Sequence, residues 1–426
     1  MNRVRNLYKE TIFMKKTYIK AYAKLIARCG ANIKRGDEVV INASLDAPDF
    51  ICMVAEECYR AGAARVMIEW SYQTKTKMDM KYMTAKRLGV VEAWEEAKLK
   101  YRLEKNPAMI FILSDDPDGL KGIDQKKYTS AMIERLKVIK PYRDQMENKY
   151  KWCIAAAPGE AWAKKVFPGV RASVAIEKLW NAILLTSRVI DKEGNLLDPI
   201  AEWDKHNQSF VDKAKVLNAQ KIKTLHYTSK NGTDLKVGLM DKSLFIGGGE
   251  ETLGGEYFNP NIPTEELFTT PKAGVAEGIV YSAMPLSWRG EIIDNFSMKF
   301  EGGRVVEVKA EKNEELLRQM VNMDEGAAML GECALVPFES PIRQSGIMFY
   351  ETLFDENASC HFAVGRGFNN CVDGFENLTN EEMKEMGVND SSIHVDFMIG
   401  SDDLNIVGIR EDGSTFQIFE NGTWAF

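Results

Sequence analysis

The sequence predicts an α/β N-terminal domain with a parallel sheet, residues 1–219, followed by an α+β C-terminal domain, residues 220–426. Two observations predict this. Through the first half, short β-branched runs alternate with stretches of helical periodicity. From about residue 220 the apolar runs crowd together and are joined by Gly-bearing turns, the pattern of antiparallel hairpins.

The elements follow in order. Residues 1–13 carry little pattern before Met14-Lys15-Lys16, so they read as an extension, with Met14 as a candidate natural start. Glu38-Val39-Val40-Ile41-Asn42 is a strand entered from Gly36-Asp37. Asp46 and Pro48 open a helix whose Phe50, Val54 and Cys58 share one face, and Gly62 stops it. Ala64–Trp70 is the next strand, completing a βαβ unit of the kind that builds parallel sheets. Met109–Leu113 and Trp152–Ala156 repeat the buried-strand pattern. Helical stretches are expected at 91–104, 124–139, 159–166, 171–189 and 198–218. In the second half, Phe296–Phe300 and Val305–Val308 flank the turn Glu301-Gly302-Gly303-Arg304 as a hairpin, and one helix is expected at about 313–329.

Composition narrows the function classes. The chain has 426 residues, a net charge of -7 and no long Lys/Arg block, which argues against nucleic acid or an anionic membrane as partner. No stretch approaches the roughly 18 apolar residues of a membrane span. The first ten residues lack a signal-type apolar core. Seven cysteines, an odd number without CxxC spacing, suit reduced thiols and a cytoplasmic setting.

Only four histidines occur, and two of them sit in the most chemically loaded stretch. His394 and Asp396 are two apart in a run that reads as a strand, so imidazole and carboxylate share one face. A surface strand with a polar face explains the same spacing equally well. His361 lies between Cys360 and Phe362-Ala363-Val364, a setting that by itself favours a core histidine. The acidic pair Asp355-Glu356 upstream shifts it toward a ligand with supporting carboxylates. Glu265-Glu266 follows Pro263-Thr264, where a helix cap competes with one Glu on a metal and its neighbour as a base. Glu332 interrupts the apolar run Met329–Val336, and a carboxylate there is costly unless paired or metal-bound. Imidazoles and carboxylates together are the donors a hydrolytic divalent-metal site needs. Gly247-Gly248-Gly249 lacks the Lys and Ser/Thr of a phosphate loop and reads as a turn. Ser359 has no G-x-S-x-G context, and His206 and His226 read as structural.

The motifs Asn261–Glu266, Leu330-Gly331-Glu332, Phe354–His361 and His394–Gly400 resemble those of the M29 metallo-aminopeptidases, the aminopeptidase T and aminopeptidase S group. In the first half Gly36–Val39 and Ala61–Val66 fit as well, so the resemblance runs from about Met14 onward. It implies an exopeptidase with two divalent ions, zinc, cobalt or manganese, acting on peptide substrates as a homodimer. It places metal ligation on Glu266, Glu332, His361, His394 and Asp396, and the general base is expected to be the neighbouring Glu265. One position departs. Seven residues after the first ligand His the family usually has a Tyr that reaches the metal site or the reaction intermediate, and here it is Phe368. A metal-containing, peptide-binding paralogue with little turnover is therefore the alternative reading. A nucleotide-binding role for the first half ranks far behind, because no G-x-G-x-x-G or P-loop is present.

Overall fold

The computed structural model describes residues 16–426, so the expected 1–13 extension and the Met14 start lie outside the described residues. The chain divides into two compact units: the part through His206 with Gly249–Pro263, and Asn207–Gly248 with Thr264–Phe426. The first division falls within helix Pro199–Ala219, whose last residue is the boundary position read from the sequence.

The first unit is built on a four-stranded parallel sheet. Strands β1 (Glu38–Ser44), β2 (Arg65–Ser71), β3 (Ala108–Leu113) and β4 (Trp152–Ala156) lie in the order β2-β1-β3-β4. Parallel neighbours need helical crossovers. The first is Pro48–Ala61, with Pro48 in its first turn and Gly62 closing it at φ 113°, a left-handed conformation open to glycine. Ala93–Lys105 and Gln125–Met146 follow β2 and β3. Ile41, Ile51, Val54, Cys58 and Ile110 are fully buried, as the apolar spacing requires.

The second unit carries two sheets. The larger has nine strands and includes Asp234–Leu239, Pro271–Tyr281, Glu291–Glu301 and Arg304–Lys312. The expected hairpin is there, with Phe300 opposite Val305 and Glu301 opposite Arg304. The expected helix is shorter than its periodicity suggested. It runs Glu314–Val321, because Asp324 turns its carboxylate onto the Ala327 N–H (2.9 Å), the Ser391 hydroxyl (2.8 Å) and the Ser392 N–H (2.7 Å).

The smaller sheet has five strands: β5 (Ile246–Gly247), β6 (Leu267–Thr269), β7 (Leu330–Leu335), β8 (His361–Gly365) and β9 (His394–Met398). Their order is β9-β8-β7-β6-β5, all antiparallel. One face is apolar: Leu267, Cys333, Leu335, Phe362, Val364 and Phe397 join a single buried cluster with the larger sheet. Phe362 and Phe397 are fully buried, and truncating either to Ala costs about 3–5 kcal/mol. The other face carries the chemistry.

Candidate metal centre

Strand parity and register assemble the site. In β7–β9, Glu332 pairs with Ala363 and Ala363 with Asp396, while Gly365 pairs with His394. Glu332, His361, His394 and Asp396 therefore all project from the face opposite the core. The central strand places only the small Ala363 between Glu332 and Asp396, and only Gly365 beside His394. Glu266 enters from the residue before β6, so a fourth segment reaches the same place.

The resulting distances are short. His361 Nε2 lies 3.2 Å from Glu266 Oε2. His394 Nε2 lies 3.0 Å from Glu332 Oε2 and 3.2 Å from Asp396 Oδ1. Two donor groups result, Glu266–Glu332–His361 and Glu332–His394–Asp396, each with one donor atom per residue inside 4.8 Å. Glu332 belongs to both. All five residues of the sequence reading thus come together, and Glu332, Glu266, His361 and Asp396 are buried.

Both imidazoles are oriented from behind. His361 Nδ1 is 3.0 Å from the Ser359 carbonyl oxygen, and His394 Nδ1 is 2.7 Å from that of Arg366. A carbonyl only accepts, so each Nδ1 carries the hydrogen and each Nε2 is turned to the carboxylates. Gly331 makes the second contact possible: a Cβ there would stand 2.3 Å from the Arg366 oxygen. Such backing is the usual support of a metal-bound histidine.

Electrostatics report a crowded, dry pocket. Burial pushes the Glu332 carboxyl up to about 7, against the hydrogen bond from His394. Burial alone would lower the His361 imidazole, but the Glu266 carboxylate beside it raises it to about 9. His394 is raised well above the ordinary range by Asp396 and Glu332 despite burial. Asp396 resists burial and stays low because of the His394 charge and hydrogen bond. Three carboxylates facing two imidazole nitrogens that offer lone pairs once deprotonated form a donor set suited to a divalent cation.

A sixth group was underestimated in the sequence. Glu356 was read only as acidic support for His361. Its carboxyl hydrogen-bonds Asp396, and burial together with the charges of Asp396, Glu266 and Glu332 holds it well above the usual range. The Asp-Glu pair was the available signal, but Glu356 opens a single 3₁₀ turn, Glu356–Ala358, with no periodicity to set its direction. Glu265 belongs to neither donor group. It is 7% exposed, its N–H is held by Asn357 Oδ1 at 2.6 Å, and its charge acts on the half-buried Lys213. Phe368 lies against the site: its ring centroid is 4.8 Å from that of His394 and 5.4 Å from that of Phe268.

His226 and His206 belong to neither donor group. His226 Nε2 is 2.7 Å from Asp234 Oδ1, and the His206 ring packs edge-on against Trp203.

Residues 15–424 match the model of a protein family described as thermophilic metalloprotease (M29). The chain is 41% identical to aminopeptidase AmpS of Bacillus subtilis (strain 168), over 96% of this chain and 98% of that protein. It is 36% identical to aminopeptidase T of Thermus thermophilus, with 96% and 98% covered. The solved structure of wild-type AmpT from Thermus thermophilus superimposes with a TM-score of 0.87 at 35% identity, covering 96% of this chain and all of that one.

Proposed function

The chain belongs to the M29 metalloprotease family, and on that premise we propose that it releases N-terminal residues from peptides at a centre of two divalent ions. It is a hydrolase of the exopeptidase type, like its relatives AmpS, PepS and aminopeptidase T. The observation that carries the two-ion reading is the pair of donor groups joined at Glu332.

In this reading Glu266, Glu332 and His361 would hold one ion, and Glu332, His394 and Asp396 would hold the other. Glu356, hydrogen-bonded to Asp396, completes the second set. The nitrogen and oxygen donors suit zinc, cobalt or manganese. Bound divalent ions supply Lewis acidity and lower the pKa of water. The protein's own groups do the rest. The Ser359 and Arg366 carbonyls fix both imidazoles, so donor geometry exists before substrate arrives. Glu265 takes the proton of the attacking water and returns it to the leaving amine. Phe368 walls His394 on one side. A carboxylate of the cluster meets the substrate's free amine, which restricts cleavage to chain ends. Loss of function through Phe368 finds no support among the relatives, which are named aminopeptidases.

The functional division assigns residues 1–219 to the α/β domain and 220–426 to the metal-bearing domain. A cytoplasmic homodimer accords with the family resemblance and with seven cysteines that are all free. No helix among the described residues is long and apolar enough to cross a membrane.

Elemental analysis and an aminoacyl reporter assay on one preparation test the proposal. Two divalent ions per chain, with release of N-terminal residues that stops on chelation, is the expected result. Full turnover in demonstrably metal-free protein is the opposing one.

A further inference from the structure

Asn357 is fully buried and spends every polar atom of its side chain. Its Oδ1 accepts the Glu265 N–H at 2.6 Å and lies 3.4 Å from the Thr264 hydroxyl. Its Nδ2 donates to the Leu353 carbonyl at 2.9 Å and to Glu356 Oε1 at 3.3 Å. The amide cannot be reversed, because the Glu265 N–H only donates and the Leu353 carbonyl only accepts. Its backbone is fixed as well: the Ser340 hydroxyl donates to the Asn357 carbonyl at 2.6 Å.

One side chain therefore ties together two segments that have no regular structure of their own. The 264–266 segment precedes β6 and carries Glu265 and Glu266. The Glu356–Ala358 turn precedes β8 and carries Glu356. The remaining donors sit on paired strands, where the ladder holds them. Glu266 and Glu356 lack that support. We infer that Asn357 is the positioning residue of the centre: its amide holds the loop of Glu265 and Glu266 at a set distance from Glu356, so that two off-ladder carboxylates meet the three strands correctly. The inference rests on reading the carboxylate–imidazole cluster as the metal centre.

Co²⁺ titration of the full chain, followed by its visible absorption, gives affinity and coordination geometry without reference to turnover. In Asn357→Ala, Co²⁺ affinity and kcat are each expected to fall about 10–100-fold, the usual cost of removing a group that orients a ligand. KM should change much less, and the absorption band should shift. Ser340→Ala, which removes the hydroxyl that anchors the Asn357 carbonyl and caps the Ile342 N–H but touches no donor, serves as the comparison: it should lower Tm while leaving affinity near wild type. Asn357→Asp decides by sign and covers the case in which the Ala variant does not fold. It keeps the volume and the acceptor but loses the donor to the Leu353 carbonyl and to Glu356. A positioning role predicts about 10-fold weaker Co²⁺ binding, although the added negative charge alone would tighten it. Equal or tighter binding in Asn357→Asp overturns the inference, as does Asn357→Ala with affinity and kcat within about twofold of wild type. A wild-type protein that takes up no Co²⁺ defeats the reading of the centre itself, a separate and recognisable failure.

Discussion

Phe368 lies with its ring tilted 51° to the imidazole of His394, the centroids 4.8 Å apart. Its N–H is held by the Thr270 hydroxyl at 2.8 Å, which fixes the backbone that carries the ring, and the ring itself packs edge-on against Phe268. Seven residues after His361 the family resemblance leads to the expectation of a Tyr, and here the ring is kept without the hydroxyl. Phe368→Tyr is expected to raise kcat/KM by up to about 10²-fold, the scale on which a single well-placed donor acts. The comparison needs metal content matched between the two proteins. A fully metallated Tyr variant no faster than wild type would mean that the hydroxyl is buried without a partner, at about 1–3 kcal/mol of stability.

Glu265→Gln separates proton transfer from metal binding. Glu265 is outside both donor groups, so the ion content of this variant should match wild type. Its kcat should fall about 10²–10⁴-fold, the usual contribution of a positioned base. Loss of metal together with activity would assign Glu265 to the donors instead.

Glu332→Gln strikes the position common to both donor groups. Metal content is expected to drop at both positions together, and peptidase activity with it, more severely than for any single-group donor. Chelation of wild type should give the same inactive state, reversed by Zn²⁺, Co²⁺ or Mn²⁺. A Glu332→Gln protein that keeps one tightly held ion and substantial activity contradicts the shared role.

The pH dependence has a definite sign. In metal-free protein the folded His361 titrates near 9, above its ordinary 6.5, so its stabilising charge is complete below about 6.5 and lost as pH rises through 9. Glu332 titrates near 7, above its ordinary 4.5, so folding favours its protonated form and stability declines as pH rises from about 4.5 to 7. Both groups make the metal-free protein weaker toward alkaline pH. Metal binding runs the other way, because it needs neutral imidazoles and ionised carboxylates. The gap in Tm between loaded and metal-free protein should therefore widen between about pH 5.5 and 8.5. Calorimetry at several pH values checks this, and a constant or narrowing gap would contradict it.

Much of this was legible because periodicity is a local property. β4 was bounded correctly at Trp152–Ala156 because a short apolar run between loops admits little else. The shared face of His394 and Asp396 followed from strand parity alone. Glu332 stood out because a carboxylate in an apolar run is costly. The helix after residue 313 was read too long, since nothing in its spacing reveals that Asp324 prefers the Ser391-Ser392 segment to a further helical turn. Glu356 was placed near the site but not in it, and Asn357 was passed over. Both act through contacts with residues that lie far from them in the chain, and no pattern of spacing encodes a contact of that kind.

The alternation of β7, β8 and β9 has a consequence for how this chain tolerates change in length. Each of these strands holds the core with one set of residues and the donors with the other. Inserting or deleting a single residue inside β8 would exchange His361 for a core phenylalanine and drive the imidazole into the apolar cluster, losing chemistry and fold at one stroke. The connection at 373–388, clear of Glu356, Asn357, Ser359, Arg366 and Phe368, is under no such parity rule. Variation in length should therefore accumulate there, while the three strands admit exchanges of side chain but no change in count.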